Sequence, residues 1–177
     1  MGLSFDTFKK WSKGLLKFVD DYRKLSKIPV PEITQVNLND LISSIYELWQ
    51  PSLAKSEVNL KMHVPNPKLT LATDRNQLEQ VIINMIINAK DALQNTEEKE
   101  ITLSAFQDDQ NTFITIEDTG SGIPEEVQNR IFIPFFTTKP TGSGIGLSLS
   151  KQIVNLLGGS IKVTTQKQIG TKFYLVF

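Results

Sequence analysis

Four stretches of this chain carry side chains whose types and spacing can do chemistry. In QVIINMIINAKDA, at 80–92, Asn84 and Asn88 stand four residues apart, one turn on a helix. DTGSGIP, at 118–124, sets Asp118 ahead of Gly120 and Gly122. IFIPFFTTK, at 131–139, ends on Thr137, Thr138 and Lys139, and GSGIGLS, at 142–148, places Gly142, Gly144 and Gly146 before Leu147. An amide oxygen can ligate Mg2+ and an amide nitrogen can donate to phosphate. A carboxylate accepts hydrogen bonds without donating, which suits an exocyclic amine such as N6 of adenine. Glycines let backbone approach a flat base, and N–H groups at a helix start hold phosphate oxygens. Together the four stretches read as a nucleotide site.

Each has a plainer account when taken alone. Two asparagines beside the apolar stripe Leu78, Val81, Met85 and Ala89 need partners, since an unpaired buried amide is costly; an interhelical hydrogen bond would serve. Asp118 can cap an ordinary turn. GSGIGLS lacks the GK[ST] ending of a P-loop, and no strand leads directly into it as in a dinucleotide fold. Between the glycine runs, Phe132, Phe135 and Phe136 are apolar anchors that core packing would also explain. The stretch 131–144 reads as a lid held down by its phenylalanines, with Lys139 in reach of a phosphate. Arg130 is left between a phosphate and a surface carboxylate.

The elements that must position these groups follow from periodicity. Phe8, Trp11, Leu15, Phe18, Tyr22 and Leu25 recur at steps of three and four over 5–27, the seam of a helix that packs on another helix or on its own domain. Pro29 and Pro31 stiffen IPVPE at 28–32, where the boundary is set between a segment 1–32 and a domain 33–177. A short edge strand at 36–38, a helix capped by Asn37 or Asn39 and running to about Ala54, and strands at 58–64 and 69–73 come next. Leu41, Ile42, Ile45, Leu48 and Trp49 share one helix face. A long helix from Asp74 or Arg75 to Leu93 carries the asparagines. Strands follow at 101–106 and 113–118, short helices at 124–130 and 145–157, and a hairpin at 160–165 and 171–177. This order predicts an α+β fold, a mixed and mostly antiparallel sheet with helices on one face, rather than βαβ repeats.

Composition excludes several classes. Lys plus Arg and Asp plus Glu both number 19, so formal charge is zero and no broad nucleic-acid surface is expected. There is no cysteine, which removes disulfides, thiol catalysis and Cys-ligated zinc. The one histidine, His63, lies on the polar side of the alternating VNLKMHV and reads as a solvent-facing strand residue. No run is apolar enough to span a bilayer and no signal peptide is evident, so this piece is expected in the cytoplasm without membrane contact, whether or not its parent is membrane-anchored.

In this order and spacing the four stretches resemble the catalytic ATP-binding domain of sensor histidine kinases, of the wider family shared with type II topoisomerases, Hsp90 and MutL. The resemblance runs from about Val36 to Phe177. It implies a two-layer α/β sandwich of that type. It implies that Asn88 binds Mg2+, with Asn84 one turn earlier in the asparagine box. Asp118 would read adenine within a first glycine box of Gly120, Gly122 and Ile123. Phe132 falls in the phenylalanine box. Thr138, Lys139 and the second glycine box, Gly142, Gly144, Gly146 and Leu147, would serve the triphosphate. Gly170 and Thr171 would lie by the adenine pocket. ATP-hydrolysing relatives carry a glutamate base where this chain has Asn84, so phosphotransfer is favoured over hydrolysis. Some kinases carry a lysine three residues after the magnesium asparagine; here that residue is Asp91, which leaves Lys139 as the phosphate cation. Asn84 and Lys139 are thus the expected catalytic pair.

KGLLKFVDDYRKLSKIPVPE resembles the second helix of the dimerisation and phospho-acceptor hairpin and its linker, without the first helix and its histidine. The resemblance implies a parent homodimer that transfers the γ-phosphoryl of ATP to a histidine and then to an aspartate on a response-regulator receiver domain. This piece alone is not expected to autophosphorylate. Two other readings stand beside it: a protein-serine kinase of the same fold, and a nucleotide-binding scaffold without transfer.

Overall fold

The computed structural model describes residues 19, 23, 25–139 and 142–177. Most of the expected helix 5–27, its seam residues Phe8, Trp11, Leu15, Phe18 and Tyr22, and also Pro140, lie outside the described residues. Residues 19, 23, 25 and 26 are helical, and Leu25 and Ile28 pack against the core.

Strand β1 (Thr34–Asn37) leads into helix α1 (Leu38–Ala54). Of the two candidate caps the chain uses Asn37, whose side chain accepts from the Asp40 N–H at 3.0 Å. Leu38, Leu41, Ile42, Ile45 and Leu53 of α1 are buried, but Leu48 is 63% exposed. Leu41 and Leu48 are seven residues apart and so share a bearing. Leu53, further along the same helix, is fully buried, and both Leu41 and Leu48 lie at the edge of the buried arc, where cover varies from turn to turn. Strands β2 (Asn59–His63) and β3 (Thr70–Thr73) follow, then helix α2 (Arg75–Ala92), capped by Asp74. Strands β4 (Glu100–Gln107) and β5 (Thr112–Asp118), the short helix α3 (Glu125–Gln128), helix α4 (Gly146–Leu156), and the hairpin of β6 (Ser160–Gln166) and β7 (Gly170–Val176) complete the order.

The main sheet has the order β2-β4-β5-β7-β6, with β2 parallel to β4 and the other pairs antiparallel. β1 pairs with β3 in a separate two-stranded sheet. Register fixes one apolar row, since residues directly opposite share a face. Leu60, Ile101, Leu103, Ala105, Ile114, Ile116, Phe173 and Leu175 form it, all buried among α1, α2 and α4. Asp118 stands at the end of this row, opposite Ile101 and Thr171. Alternation therefore turns a carboxylate inward, toward the helices, where strand β5 stops. On the other face, Phe106 stacks on Phe113 at 5.1 Å and Lys172 pairs with Glu117 at 2.8 Å. His63 is exposed near the end of the edge strand β2. The fold is the expected mixed sheet under a helical layer.

Candidate nucleotide-binding site

A cleft of about 580 Å³ opens between α2, the end of β5, the 131–139 segment and the start of α4. That volume suits a nucleotide-sized ligand. Asn84, Asn88, Asp118, Gly122, Ile123, Thr138, Lys139, Gly142, Gly144, Gly146, Leu147 and Thr171 all line it. Gly120 and Phe132, also expected there, do not. Gly120 sits directly behind the wall, its N–H donating to Asp118 Oδ1 at 2.8 Å. Phe132 packs against the core, with Lys151 Nζ 5.1 Å from its ring centre. Phe136 takes the lining position. The sequence IFIPFF offers three phenylalanines, and periodicity does not order them in an irregular segment.

Asp118 is 6% exposed. Burial pushes its carboxyl up to about 6, against the pull of the Gly120 and Thr171 backbone N–H groups. A carboxylate so poorly solvated is relieved by a donor arriving in the cleft, which an amino group is. Two glycines permit the walls around it. Gly170, at φ +142°, lets β7 close on the Asp118 backbone carbonyl, where a Cβ would collide. Gly122, at φ +68°, lets its turn lie on the Gln166 backbone, again in space a Cβ would fill. Thr165 then fastens the two together: its hydroxyl accepts from the Ile123 N–H at 2.9 Å and donates to the Gly170 carbonyl at 3.0 Å. Thr165 was not among the expected site residues. Its place in a strand of alternating burial carries no mark of this role.

Asn84 donates from Nδ2 to the Ser150 hydroxyl of α4 at 2.9 Å. The plainer account of that amide, an interhelical bond, is therefore realised, though Asn84 still borders the cleft. Gly146 opens α4 against the Asn84 side chain, and a Cβ there would come within 2.5 Å of Asn84 Oδ1. The N-cap residue of α4 is Ile145, which offers no side-chain hydrogen bond to the first turn. Gly146 and Leu147 of the first turn, with Gly144 just ahead of it, line the cleft, so the positive end of the helix borders it, a setting that favours an anion.

On α2, Asn88 and Asp91 lie one turn apart. Lys139 Nζ reaches both, at 3.1 Å from Asn88 Oδ1 and 2.7 Å from Asp91 Oδ2. Asp91 lines the cleft and was not assigned to it from sequence, although it shares the flank of Asn84 and Asn88. The ammonium resting on the Asn88 oxygen shows that this donor set accepts a cation. Among the described residues no cluster of three or more acidic or histidine side chains could hold a metal by itself. The Arg130 guanidinium lies 4.2 Å from the Phe136 ring centre. That contact braces the phenylalanine lining the cleft.

Residues 73–177 match the family model described as histidine kinase-, DNA gyrase B- and HSP90-like ATPase. The chain is 37% identical over 142 residues to the signal transduction histidine-protein kinase AtoS of Escherichia coli strain K12, covering 80% of this chain and 23% of AtoS. Among solved structures, the catalytic domain of histidine kinase ThkA superposes with a TM-score of 0.73 at 32% identity, over 82% of this chain and 95% of that one. ThkA in complex with the response regulator protein TrrA superposes with a TM-score of 0.77 at 29% identity, over 97% of this chain and 48% of that one.

Proposed function

The chain belongs to the histidine kinase-, DNA gyrase B- and HSP90-like ATPases, as an ATP-binding catalytic module of a sensor histidine kinase, and from that premise we propose how its residues divide the work. Asp118 accepts from the adenine amine, while Gly122, Ile123 and Thr171 enclose the base. The N–H groups at the start of α4, with Thr138 and Lys139, take the phosphates. Asn88 holds Mg2+, which would offset charge on the transferred phosphoryl group. Asn84 positions α4 through Ser150 and supplies no base, which suits transfer over hydrolysis.

The parent protein, on this proposal, is a homodimer that moves the γ-phosphoryl of ATP to a histidine nitrogen: the bond from phosphorus to the β,γ-bridging oxygen breaks, a phosphorus–nitrogen bond forms, and ADP leaves. A receiver-domain aspartate then takes the group, a partnership supported by the TrrA complex of ThkA. The chain spans about a quarter of AtoS; on this proposal, sensing and acceptor segments belong to the parent. Segment 1–32 would link them to the domain at 33–177. Among the described residues no helix is long and apolar enough to cross a membrane. Histidine kinases among the relatives rank this reading above a serine kinase of the same fold.

The observation that carries the reading is a buried carboxylate and an uncapped helix start on one nucleotide-sized cleft. Calorimetric titration with a non-hydrolysable ATP analogue, with and without Mg2+ and with GTP as control, tests it. Adenine-selective binding strengthened by Mg2+ is expected. A folded chain that binds neither nucleotide would overturn the proposal.

A further inference from the structure

Lys139 is the only described side chain recorded reaching both Asn88 and Asp91, and it comes from the far wall of the cleft. Its side chain is 40% exposed and that of Asp91 37%. An ion pair so open to water holds weakly and is readily displaced. The two oxygens it bridges are an uncharged amide and a carboxylate, both hard donors of the kind that Mg2+ or Mn2+ selects. Once the ammonium leaves, the Asp91 charge is left facing the Asn88 oxygen.

Resting on the nucleotide reading above, we infer that Asp91 is a second oxygen donor of the cation subsite, and that Lys139 occupies the position the divalent ion takes. Mg2+ binds oxygen at about 2.1 Å and usually keeps several waters. Cation and lysine then compete for one place. Arrival of the metal nucleotide frees Lys139 from α2 and leaves its ammonium beside the phosphates. Metal binding and the repositioning of the 131–139 segment become one event. Asp91 is a positioning residue in this scheme, since it acts on the phosphoryl group only through the cation.

Mn2+ provides a direct readout, because the free ion is counted by electron paramagnetic resonance without any enzymatic turnover. Titrations use the whole chain, without nucleotide and then with saturating ADP. In the presence of ADP, Asp91→Asn is expected to weaken Mn2+ about tenfold or more, as loss of a group orienting a metal site does. Without nucleotide, Lys139→Met is expected to strengthen Mn2+ by about three- to tenfold, the gain from removing a competitor. Lys172→Met, which removes an equal charge from the pair with Glu117 on the far face of the sheet, is expected to leave Mn2+ unchanged. Either of two results overturns the inference: wild-type Mn2+ affinity in Asp91→Asn with ADP present, or an equal response from the Lys139 and Lys172 variants. Adenosine binding, which needs Asp118 and no metal, separates the two levels of the argument. If it persists while Asp91→Asn behaves as wild type, only the cation inference fails. If wild type takes neither adenosine nor ADP, the nucleotide reading fails and this inference with it.

Discussion

Asn84 on α2 donates to Ser150 on α4 at 2.9 Å, so one half-buried hydrogen bond joins the helix of the asparagines to the helix whose start faces the cleft. Breaking it leaves a hydroxyl from the buried Ser150 in search of a partner. Asn84→Ala is expected to cost about 1 kcal/mol of stability, and to weaken a triphosphate more than adenosine, because α4 loses its tether. In a double-mutant cycle with Ser150→Ala, denaturant melts should give a coupling of about 0.5–1.5 kcal/mol. Additive effects would mean the two helices are held by packing alone.

Asp118 makes both stability and binding depend on pH. Its folded pKa, about 6, lies above the unfolded value of 3.8. Between those values the folded chain binds more protons, so stability falls as pH rises through the window, and the cost is complete above pH 6. That cost is about 2–3 kcal/mol, from roughly two pH units. Asp118→Asn should flatten this dependence, read as the difference between wild-type and variant melts from pH 7 to pH 4. Adenosine, which has no phosphate to titrate, should bind wild type less well as pH drops below 6, with proton release on binding near that pH. The variant should bind it poorly at every pH and release none.

The elements with a strong period were legible in the sequence. The α2 stripe through Leu78, Val81, Met85 and Ala89 gave its helix, and the alternation of β5 carried Asp118 inward, because one buried face dictates register. What was not legible depends on where cover ends and on contacts between distant segments. Leu48 shares the bearing of Leu41 yet is exposed. Phe136 rather than Phe132 lines the cleft, and no local rule ranks aromatics in an irregular segment. Thr165 bonds across to Ile123, 42 residues away, and Lys139 reaches Asp91 over 48 residues, separations that leave no mark in local pattern.

Asp74 does two things with one carboxylate. Oδ1 caps α2 by accepting from the Gln77 N–H at 3.0 Å, and Oδ2 accepts from the Glu32 N–H at 2.9 Å. Gln77 Nε2 donates to the Pro29 carbonyl at 2.9 Å, so the proline-rich segment is strapped to the head of the asparagine helix. The Gln77 and Glu32 N–H groups hold the Asp74 carboxyl below its ordinary value against the opposing effect of burial. Its contribution is therefore present above pH 3.8 and is lost as pH falls through the lower folded value. Asp74→Ala should cost about 1 kcal/mol through the cap alone, and more through the strap. Asp74→Ser should restore the cap but not the strap. Hydrogen exchange at the Glu32 amide separates the two: fast exchange in both variants is expected, and protection in Asp74→Ser would show the strap is held elsewhere.

His63 is the chain's sole histidine, and its position argues against its being the phosphoryl acceptor. It lies opposite Ser104 on β4, which lies opposite Thr115 on β5, three residues back from Asp118. At about 3.3 Å per residue and 4.8 Å per strand, it stands roughly 10 Å along and 10 Å across the sheet from that carboxylate. The displacement runs away from the strand end at which the cleft opens. A phosphoryl group bound at the start of α4 has no route to it within one molecule. Incubated alone with γ-labelled ATP, the chain should gain no acid-labile phosphate, and His63→Gln should bind nucleotide as wild type does. Adding a separately folded hairpin that carries an acceptor histidine should put acid-labile label on the hairpin and none on this chain. Label on His63 at a rate independent of protein concentration would contradict the sheet geometry.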